Sequence, residues 1–313
     1  MKGLELSRKF YNEFGEPMLK SGFGEILPHL AVGLVGSGSE CYGFDDDISK
    51  DHDFEAGFCI FIPDEDIIDS STEFALERAY TKLPKEYMGY KKANLAPVGS
   101  KRRGVIRISD FLKEKIGKAD GNLSLYDWLF VPEYALAEVV NGEIFLDLSG
   151  SFTEIRNNLK NMPEDARLKR LAGNLLLMGQ AGQYNYNRSV ARKDTAAAQL
   201  SAFEFVKAAM QVIFLLNREY MPYYKWSFRA LGCLPVLSEM GERLEYLISS
   251  GNAELESSKK YQIIEEICNG IINELKNQGL TSFLGDQMEG HAYAVNNMIK
   301  DPNVRNMHIL CSV

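Results

Sequence analysis

Long apolar runs and a secretion signal are missing from this sequence of 313 residues. No stretch of about eighteen uncharged apolar residues occurs, so no segment is predicted to span a membrane. The first residues, MKGLELSRKF, lack the apolar core of a secretory signal and instead have the spacing of an amphipathic helix. These absences argue against a membrane protein and favour a soluble protein of the cytoplasm.

The sequence also lacks cysteine motifs and a net positive charge. The five cysteines are scattered, odd in number and without Cys-x-x-Cys spacing, so neither a disulfide framework nor a zinc site is expected. The formal net charge is −8, with lysine and arginine spread along the chain. Binding of long duplexes usually requires a basic face. Bulk charge therefore does not indicate a nucleic-acid partner, although it leaves room for a local basic patch.

Short apolar segments bounded by Gly, Pro and Asp dominate residues 30–150. Segments 71–83 and 109–117 between them have helical spacing. Strands and helices interspersed in this way predict a small α/β or α+β domain. The predicted strands, rich in Val, Ile and Phe, are AVGLVG (31–36), GFCIFIP (57–63), GVIRIS (104–109) and GEIFLDL (142–148).

Strand signals disappear after residue 150, so we place a domain boundary there and predict a helical bundle over 151–313. The clearest helix is 194–218, where apolar residues recur every three or four positions and predict one buried stripe. That stripe consists of Leu200, Phe203, Val206, Met210, Ile213 and Leu216. The other predicted helices are 152–161, 164–182, 225–250, 255–277 and 285–300.

Residues 33–62 contain the segment with the clearest chemistry. An apolar strand leads into Gly36-Ser37-Gly38-Ser39, and successive N–H groups of such a turn, with a serine hydroxyl, can hold phosphate oxygens. Asp51-His52-Asp53 then opens the second predicted strand, where side-chain alternation places the two aspartates on one face. Neighbouring carboxylates repel each other unless a cation lies between them, and such oxygen ligands suit Mg²⁺. The segment therefore predicts a nucleotide site with its metal ion.

The order of these features resembles the polymerase-beta-type nucleotidyltransferase superfamily, whose signature is Gly-Ser, a loop, and then Asp-x-Asp on the next strand. Gly38-Ser39 followed by Gly43 matches one common form of the signature, and Gly36-Ser37 is a competing register. The string GSGSECYGFDDDISKDHDF is also similar to an uncharacterised bacterial family known only as nucleotidyltransferase-like, a domain of unknown function. That similarity extends to Tyr126–Leu129, to Gly142–Asp147, to the segment with Asn185, Arg188 and Arg192, and to Lys225-Trp226.

The resemblance implies an α+β fold with a nucleotidyltransferase-type mixed sheet flanked by helices over residues 1–150. A helical domain that binds substrate or nucleotide would follow over residues 151–313, with the site in the cleft between them. The implied reaction is a two-metal, in-line transfer of a nucleoside monophosphate, AMP in the first instance, from an NTP to a small-molecule or macromolecular acceptor. Asp51 and Asp53 would hold Mg²⁺ or Mn²⁺, and the Gly-Ser turn would bind the phosphates.

The superfamily usually has a third carboxylate on a later strand, and here the sequence departs from it. The corresponding inward position on the strand 104–109 is Arg107, which can neither bind a metal ion nor act as a base at neutral pH. Asp110 or Asp147 could replace the missing carboxylate from a neighbouring position. Without it, the chain would bind a nucleotide and not turn it over.

Cationic side chains in the helical half are candidates for phosphate binding. Arg188 and Arg192 fall on one helical face, and Lys225 follows two tyrosines and precedes a tryptophan. An ordinary exposed helix face is the competing interpretation for the two arginines, and a snorkelling side chain for the lysine. The acidic run 45–47 is interpreted as a solvated loop tip rather than an extra cation site.

Two alternative functions remain open at this stage. The first is a catalytically inactive nucleotide-binding sensor or regulator that has lost the third carboxylate. The second is a toxin–antitoxin-type module that acts on a protein or tRNA partner. The acceptor, the base of the nucleotide and the oligomeric state are not determined by the sequence.

Overall fold

The computed structural model describes residues 1–51, 55–91 and 103–313. Its fold is α+β, with a mixed four-stranded sheet and a helical C-terminal region, which confirms the prediction at that level. The strands are β1 (Ala31–Leu34), β2 (Cys59–Ile62), β3 (Glu86–Tyr87), β4 (Tyr90–Lys91), β5 (Gly104–Arg107) and β6 (Glu143–Asp147).

The helices account for most of the described chain. They are α1 (Gly3–Phe10), α2 (Glu16–Gly22), α3 (Ser70–Thr81), α4 (Ile108–Ile116), α5 (Leu125–Phe130), α6 (Glu133–Val140), α7 (Ser151–Leu159), α8 (Glu164–Met178), α9 (Asn187–Ala191), α10 (Thr195–Leu216), α11 (Tyr224–Leu231), α12 (Gly241–Ser249), α13 (Glu254–Asn277), α14 (Met288–Asn297) and α15 (Pro302–Asn306). The segments Tyr11–Gly15 and Gly179–Tyr186 are π-helical. The 3₁₀ helices are Leu27–His29, Glu40–Tyr42, Ile48–Asp51 and Ser238–Met240.

The chain folds as two compact units whose limits differ from the predicted boundary near residue 150. The first unit comprises 1–122 and 131–161, and the second comprises 123–130 and 162–313. Helix α7 belongs to the first unit because Phe152 is fully buried there, with its ring centroid 4.5 Å from that of Phe61 on β2. The two rings are 91 residues apart in the sequence. The change in composition near residue 150, from which the boundary was predicted, therefore gives no sign of this contact.

The order of strands in the four-stranded sheet is β5-β2-β1-β6. Strand β1 runs antiparallel to both β2 and β6, while β2 and β5 are parallel. The carboxyl end of β1 therefore lies at the same edge as the amino ends of the other three strands, and we call this the turn edge. The opposite edge carries Ala31, Ile62, Arg107 and Asp147.

Strand β2 is buried on both faces, which explains its uninterrupted apolar sequence. On one face, Ile60 and Ile62 pack in a cluster with Phe10 of α1 and Val32 of β1. On the other face, Phe61 contacts the rings of α4 and α7. Both faces of the sheet are thus covered at β2.

In the second unit, α10 differs from the amphipathic stripe that the sequence predicts. Val206, Met210, Ile213 and Leu216 are buried as expected, but Leu200 and Phe203 are 66% and 42% exposed. The reason is that neighbouring helices cover the carboxyl half of α10 on nearly all sides and its amino half on one side only. This helix is long and apolar enough to cross a membrane, yet 61% of its apolar window is buried, which is consistent with the core helix of a soluble protein.

Burial of His291 predicts a pH dependence for the second unit. The ring is fully buried, and its Nε2 lies 2.9 Å from Gly285 O while Nδ1 lies 2.9 Å from Thr281 Oγ1. Because a carbonyl can only accept, Nε2 carries the proton of a neutral ring and Nδ1 accepts from the hydroxyl. Loss of hydration on burial lowers the pKa of His291 below its ordinary value of 6.5.

A base whose pKa is lower in the folded state binds fewer protons there than in the unfolded state. The stability that His291 contributes is therefore complete above pH 6.5 and is lost as the pH falls through the lower, folded pKa. We expect the free energy of unfolding to decrease below pH 6.5, and to decrease less steeply in His291→Gln. Urea titrations of both proteins between neutral and acidic pH measure the difference, and identical slopes would contradict the assignment.

Candidate functional site

The Gly-Ser turn leaves the sheet at the carboxyl end of β1. Gly36 has φ = +106°, Gly38 has φ = +148° and Gly43 has φ = +70°, conformations that L side chains rarely adopt. A side chain at these positions would force a different path for the chain. The three glycines therefore account for the shape of the loop that the sequence predicts as a phosphate site.

Two carbonyl groups of this turn accept hydrogen bonds from amides of the same loop. Gly38 O accepts from Cys41 N at 3.2 Å, and Ser39 O accepts from Phe44 N at 2.8 Å. Within the described part of the chain, the N–H groups of Ser37, Gly38 and Ser39 have no protein acceptor. Three successive amides and two partly exposed serine hydroxyls can thus bind an anion, as a phosphate site requires.

Two residues that the sequence analysis missed hold the turn in place. The amide of Asn141 forms two hydrogen bonds with Gly36, one from Gly36 N to Oδ1 at 2.9 Å and one from Nδ2 to Gly36 O at 2.8 Å. Next to it, Gly142 N donates to Cys41 O at 2.9 Å. The Asn-Gly dipeptide before β6 is a recognisable turn signal, but nothing local shows that it contacts residues 36 and 41.

The prediction that residue 51 opens the second strand is wrong. Asp51 ends the 3₁₀ helix 48–51, and β2 begins only at Cys59, so strand alternation does not apply to this residue. The 3₁₀ helix forms because Asp46 Oδ1 accepts from both the N–H and the hydroxyl of Ser49, each at 3.0 Å. His52 and Asp53 lie outside the described residues, and the assignment of the two aspartates as metal ligands stays a prediction.

Asp147 and Asp110 are not brought to the turn. Asp147 pairs with Ala31 at the opposite edge of the sheet, about 10 Å along β1 from Leu34. Its oxygens accept from Gly150 N at 2.9 Å and Thr153 N at 2.8 Å, which fixes the start of α7. Asp110 is exposed in the first turn of α4, beyond the same opposite edge. Strand direction thus carries both carboxylates away from Gly36, and their role as a third metal ligand stays a prediction.

Arg107 has a structural role at that opposite edge. Its guanidinium donates to Glu73 Oε2 at 2.6 Å and to Pro63 O at 2.9 Å. These bonds tie the end of β5 to α3 and to the segment that follows β2. An arginine is not a metal ligand, and these contacts explain its presence on the strand.

A buried charge cluster adjoins the Gly-Ser turn and was not predicted. Glu40, directly after Ser39, lies 3.1 Å from an Arg103 nitrogen, and Glu55 lies 3.6 Å from another. All three side chains are at most 10% exposed. Gly57 allows the contact, because a Cβ there would lie 2.5 Å from Arg103 Cδ. The cluster links the end of the turn to the start of β5, across 63 residues of sequence.

The acidic run 45–47 is not the solvated loop tip that its charge suggests. Asp45 is only 5% exposed, and its Oδ2 accepts from Gly3 N at 2.9 Å. Because Gly3 is the first residue of α1, this carboxylate satisfies one of the free amides at the start of the helix. Asp47 alone of the three is exposed.

The predicted cationic residues are exposed in the second unit. Arg188 of α9 lies over the ring of Tyr184 at 4.7 Å, and Arg192 follows the end of that helix. Lys225 of α11 lies 4.9 Å from the ring of Trp226. These cation–π contacts hold each charge beside an aromatic surface. Binding of a nucleotide by these side chains stays a prediction.

Residues 128–227, just under a third of the chain, match the family model described as a domain of unknown function, DUF4037. The matched segment includes Asn141 and Asp147 of the first unit and Arg188, Arg192 and Lys225 of the second. The Gly-Ser turn and Asp51 precede it. No curated protein matches the chain. This part of the chain thus carries an uncharacterised domain that spans β6 and the first helices of the second unit.

Proposed function

We propose that the protein is a metal-dependent nucleotidyltransferase that moves a nucleoside monophosphate, AMP in the first instance, from an NTP to an acceptor. The acceptor would be a hydroxyl or similar group on a small molecule or a macromolecule. The proposal combines the resemblance of residues 36–53 to the polymerase-beta-type superfamily with the shape of the Gly-Ser turn. We propose both that the first unit has a nucleotidyltransferase-type fold and that the protein has this activity.

The conformation of the Gly36–Ser39 loop is the observation that carries this proposal. Its glycines adopt positive φ, the Gly38 and Ser39 carbonyls are bonded within the loop, and three successive amides have no acceptor among the described residues. A loop of this kind suits the oxygens of a triphosphate, since each N–H can donate to one of them. The segment after the loop leads to β2 at the same edge of the sheet.

Asp51 and Asp53 are the residues that would hold Mg²⁺ or Mn²⁺ in this proposal. A bound divalent ion supplies charge neutralisation of the triphosphate and activation of the acceptor oxygen. The turn amides of Ser37–Ser39 would orient the phosphates. Arg188, Arg192 and Lys225 are further candidates for phosphate contacts, since each is exposed and cationic.

One observation favours a second candidate function, a nucleotide-binding sensor without turnover. Neither Asp147 nor Asp110 lies at the turn edge, and Arg107 is engaged in structural hydrogen bonds. Within the described residues, no group of three His, Cys, Asp or Glu side chains could hold a metal ion. A site with two carboxylates only would bind a metal–nucleotide complex and lack the group that acts on the acceptor.

Incubation of the protein with Mg²⁺ or Mn²⁺ and each labelled NTP tests both functions. A nucleotidyltransferase releases pyrophosphate and yields a labelled product, whereas the sensor binds the NTP in a metal-dependent way without release. Binding is measured by equilibrium dialysis, so that a missing acceptor does not conceal the site. No metal-dependent binding of any NTP would contradict the proposal and the sensor alternative together.

A further inference from the structure

The turn that we assign to phosphate binding is held by a single side chain from a distant segment. Asn141 lies 105 residues from Gly36 along the sequence and bonds to both polar atoms of its backbone. We propose that Asn141 is the positioning residue of the Gly36–Ser39 turn and that Arg156 acts on the turn through Asn141. The proposal rests on the proposed function, because its main measurement is the affinity for an NTP.

The two hydrogen bonds fix the direction in which the turn begins. A side-chain amide that donates to a backbone C=O and accepts from the N–H of the same residue copies the pairing of neighbouring strands. Gly36 is thereby held in its positive-φ conformation directly before the three amides of the phosphate site. The bond from Gly142 N to Cys41 O fastens the other end of the loop. Residues 141 and 142 therefore hold both ends of the turn.

Arg156 holds the backbone of Asn141. Its guanidinium donates to Val139 O at 2.9 Å, to Val140 O at 3.1 Å and to Asn141 O. These are carbonyls at the carboxyl end of α6, which the helix itself leaves without partners. A cation at this end of a helix is also favoured by the helix dipole.

The side chain of Arg156 is itself fixed within the first unit. It is 6% exposed, and burial lowers its pKa to about 10, so it remains charged at neutral pH. Helix α7, which carries it, starts at the amides bonded to Asp147. A continuous set of contacts thus runs from α7 through the end of α6 to Gly36.

Loss of the Asn141 amide is expected to weaken binding more than it weakens folding. Without its two bonds, Gly36 can rotate, and the three amides that follow lose their fixed orientation. We expect Asn141→Ala to raise the dissociation constant of the Mg²⁺–ATP complex roughly tenfold. We expect Asn141→Asp to weaken binding at least as much, because a carboxylate oxygen would replace Nδ2 beside Gly36 O and repel both that carbonyl and the phosphates.

The second unit offers a matched control for the loss of two hydrogen bonds. Asn217 accepts from Val236 N at 3.1 Å and donates to Val236 O at 3.0 Å, the same pairing that Asn141 makes. Its Nδ2 also donates to Ile213 O at 2.8 Å. Asn217→Ala is therefore expected to lower the melting temperature at least as much as Asn141→Ala and to leave the dissociation constant unchanged. Equal dissociation constants for wild type and Asn141→Ala would overturn the proposal.

A double-mutant cycle tests whether Arg156 acts through Asn141. Arg156→Met is expected to weaken binding of Mg²⁺–ATP, and the Asn141→Ala/Arg156→Met double variant is expected to bind no more weakly than Asn141→Ala alone. Additive losses would overturn this part of the proposal, since they would show that Arg156 acts independently.

Amide hydrogen exchange of the unliganded protein separates the positioning claim from the proposed function. We expect the Cys41 and Phe44 amides, which donate to Gly38 O and Ser39 O, to exchange faster in Asn141→Ala than in wild type. Their exchange is expected to be unchanged in Asn217→Ala. If the wild-type protein bound no NTP, the proposed function would fail, and this measurement would still decide whether Asn141 orders the turn. Equal exchange in all three proteins would overturn the positioning role.

Discussion

Replacement of both Asp51 and Asp53 by alanine is expected to reduce metal-dependent NTP binding roughly a hundredfold and to abolish turnover. The reason is that both carboxylates are the predicted ligands of the ion that accompanies the triphosphate. Without them, the metal ion would lose its protein ligands, and the phosphates would meet a chain whose net charge is still negative. Equilibrium dialysis with labelled ATP, with and without Mg²⁺, measures the change.

A control for this double variant is Asp66→Ala, which removes an exposed carboxylate from the segment after β2. It changes the net charge without touching the predicted site, and its affinity for ATP is expected to equal that of wild type. If Asp51→Ala/Asp53→Ala bound ATP with full metal dependence, the two aspartates would not be the metal ligands. If the double variant bound ATP equally well without metal, the affinity would come from the Gly-Ser turn alone.

Gly142→Ala is expected to lower the free energy of unfolding of the first unit by about 3 kcal/mol or more. A Cβ at this position would lie 2.0 Å from Leu34 O and 2.9 Å from Val35 Cα, both backbone atoms that cannot move independently. The residue also has φ = +63°. The new methyl group would force β6 away from β1 and break the bond from residue 142 to Cys41 O. Urea denaturation measures the loss.

Gly117→Ala separates the steric clash from the cost of the backbone conformation. Gly117 has φ = +75°, ends α4, and has no atom within 4 Å of its Cβ position. Its replacement is expected to cost about 1 kcal/mol, the price of left-handed backbone alone. If both variants lost the same stability, the close approach of Gly142 to β1 would not be the cause.

Local patterns predicted most elements of the fold because their causes are local. The apolar run 57–63 contains β2, and the segment 109–117 contains most of α4 together with its glycine at the end. Capping by Asp46 is a local pattern as well, since aspartate three residues before serine often closes a turn. That signal would have predicted the 3₁₀ helix at 48–51 and corrected the assignment of Asp51 to a strand.

The predictions for α10 and for the acidic run 45–47 were wrong because contacts between distant segments decide which of their residues are buried. Leu200 and Phe203 fit the apolar period of α10, but only the packing of other helices decides which turns of that helix are covered. Asp45 belongs to an acidic run, yet it is buried because it caps α1, 42 residues earlier. Periodicity and composition are properties of one segment, so they carry no information on which distant residues pack against it.

For the candidate site, the sequence by itself located the Gly-Ser turn, because closely spaced glycines after an apolar strand allow a tight turn with positive φ. The tertiary structure decided which side chains accompany it. Strand order and direction place Asp147 at the opposite edge and bring Asn141 to Gly36. Which strand ends lie next to each other cannot be inferred from the sequence. It depends on how the four strands pair and on which helices pack against the two faces of the sheet. The residues that hold the turn were therefore visible only in the fold.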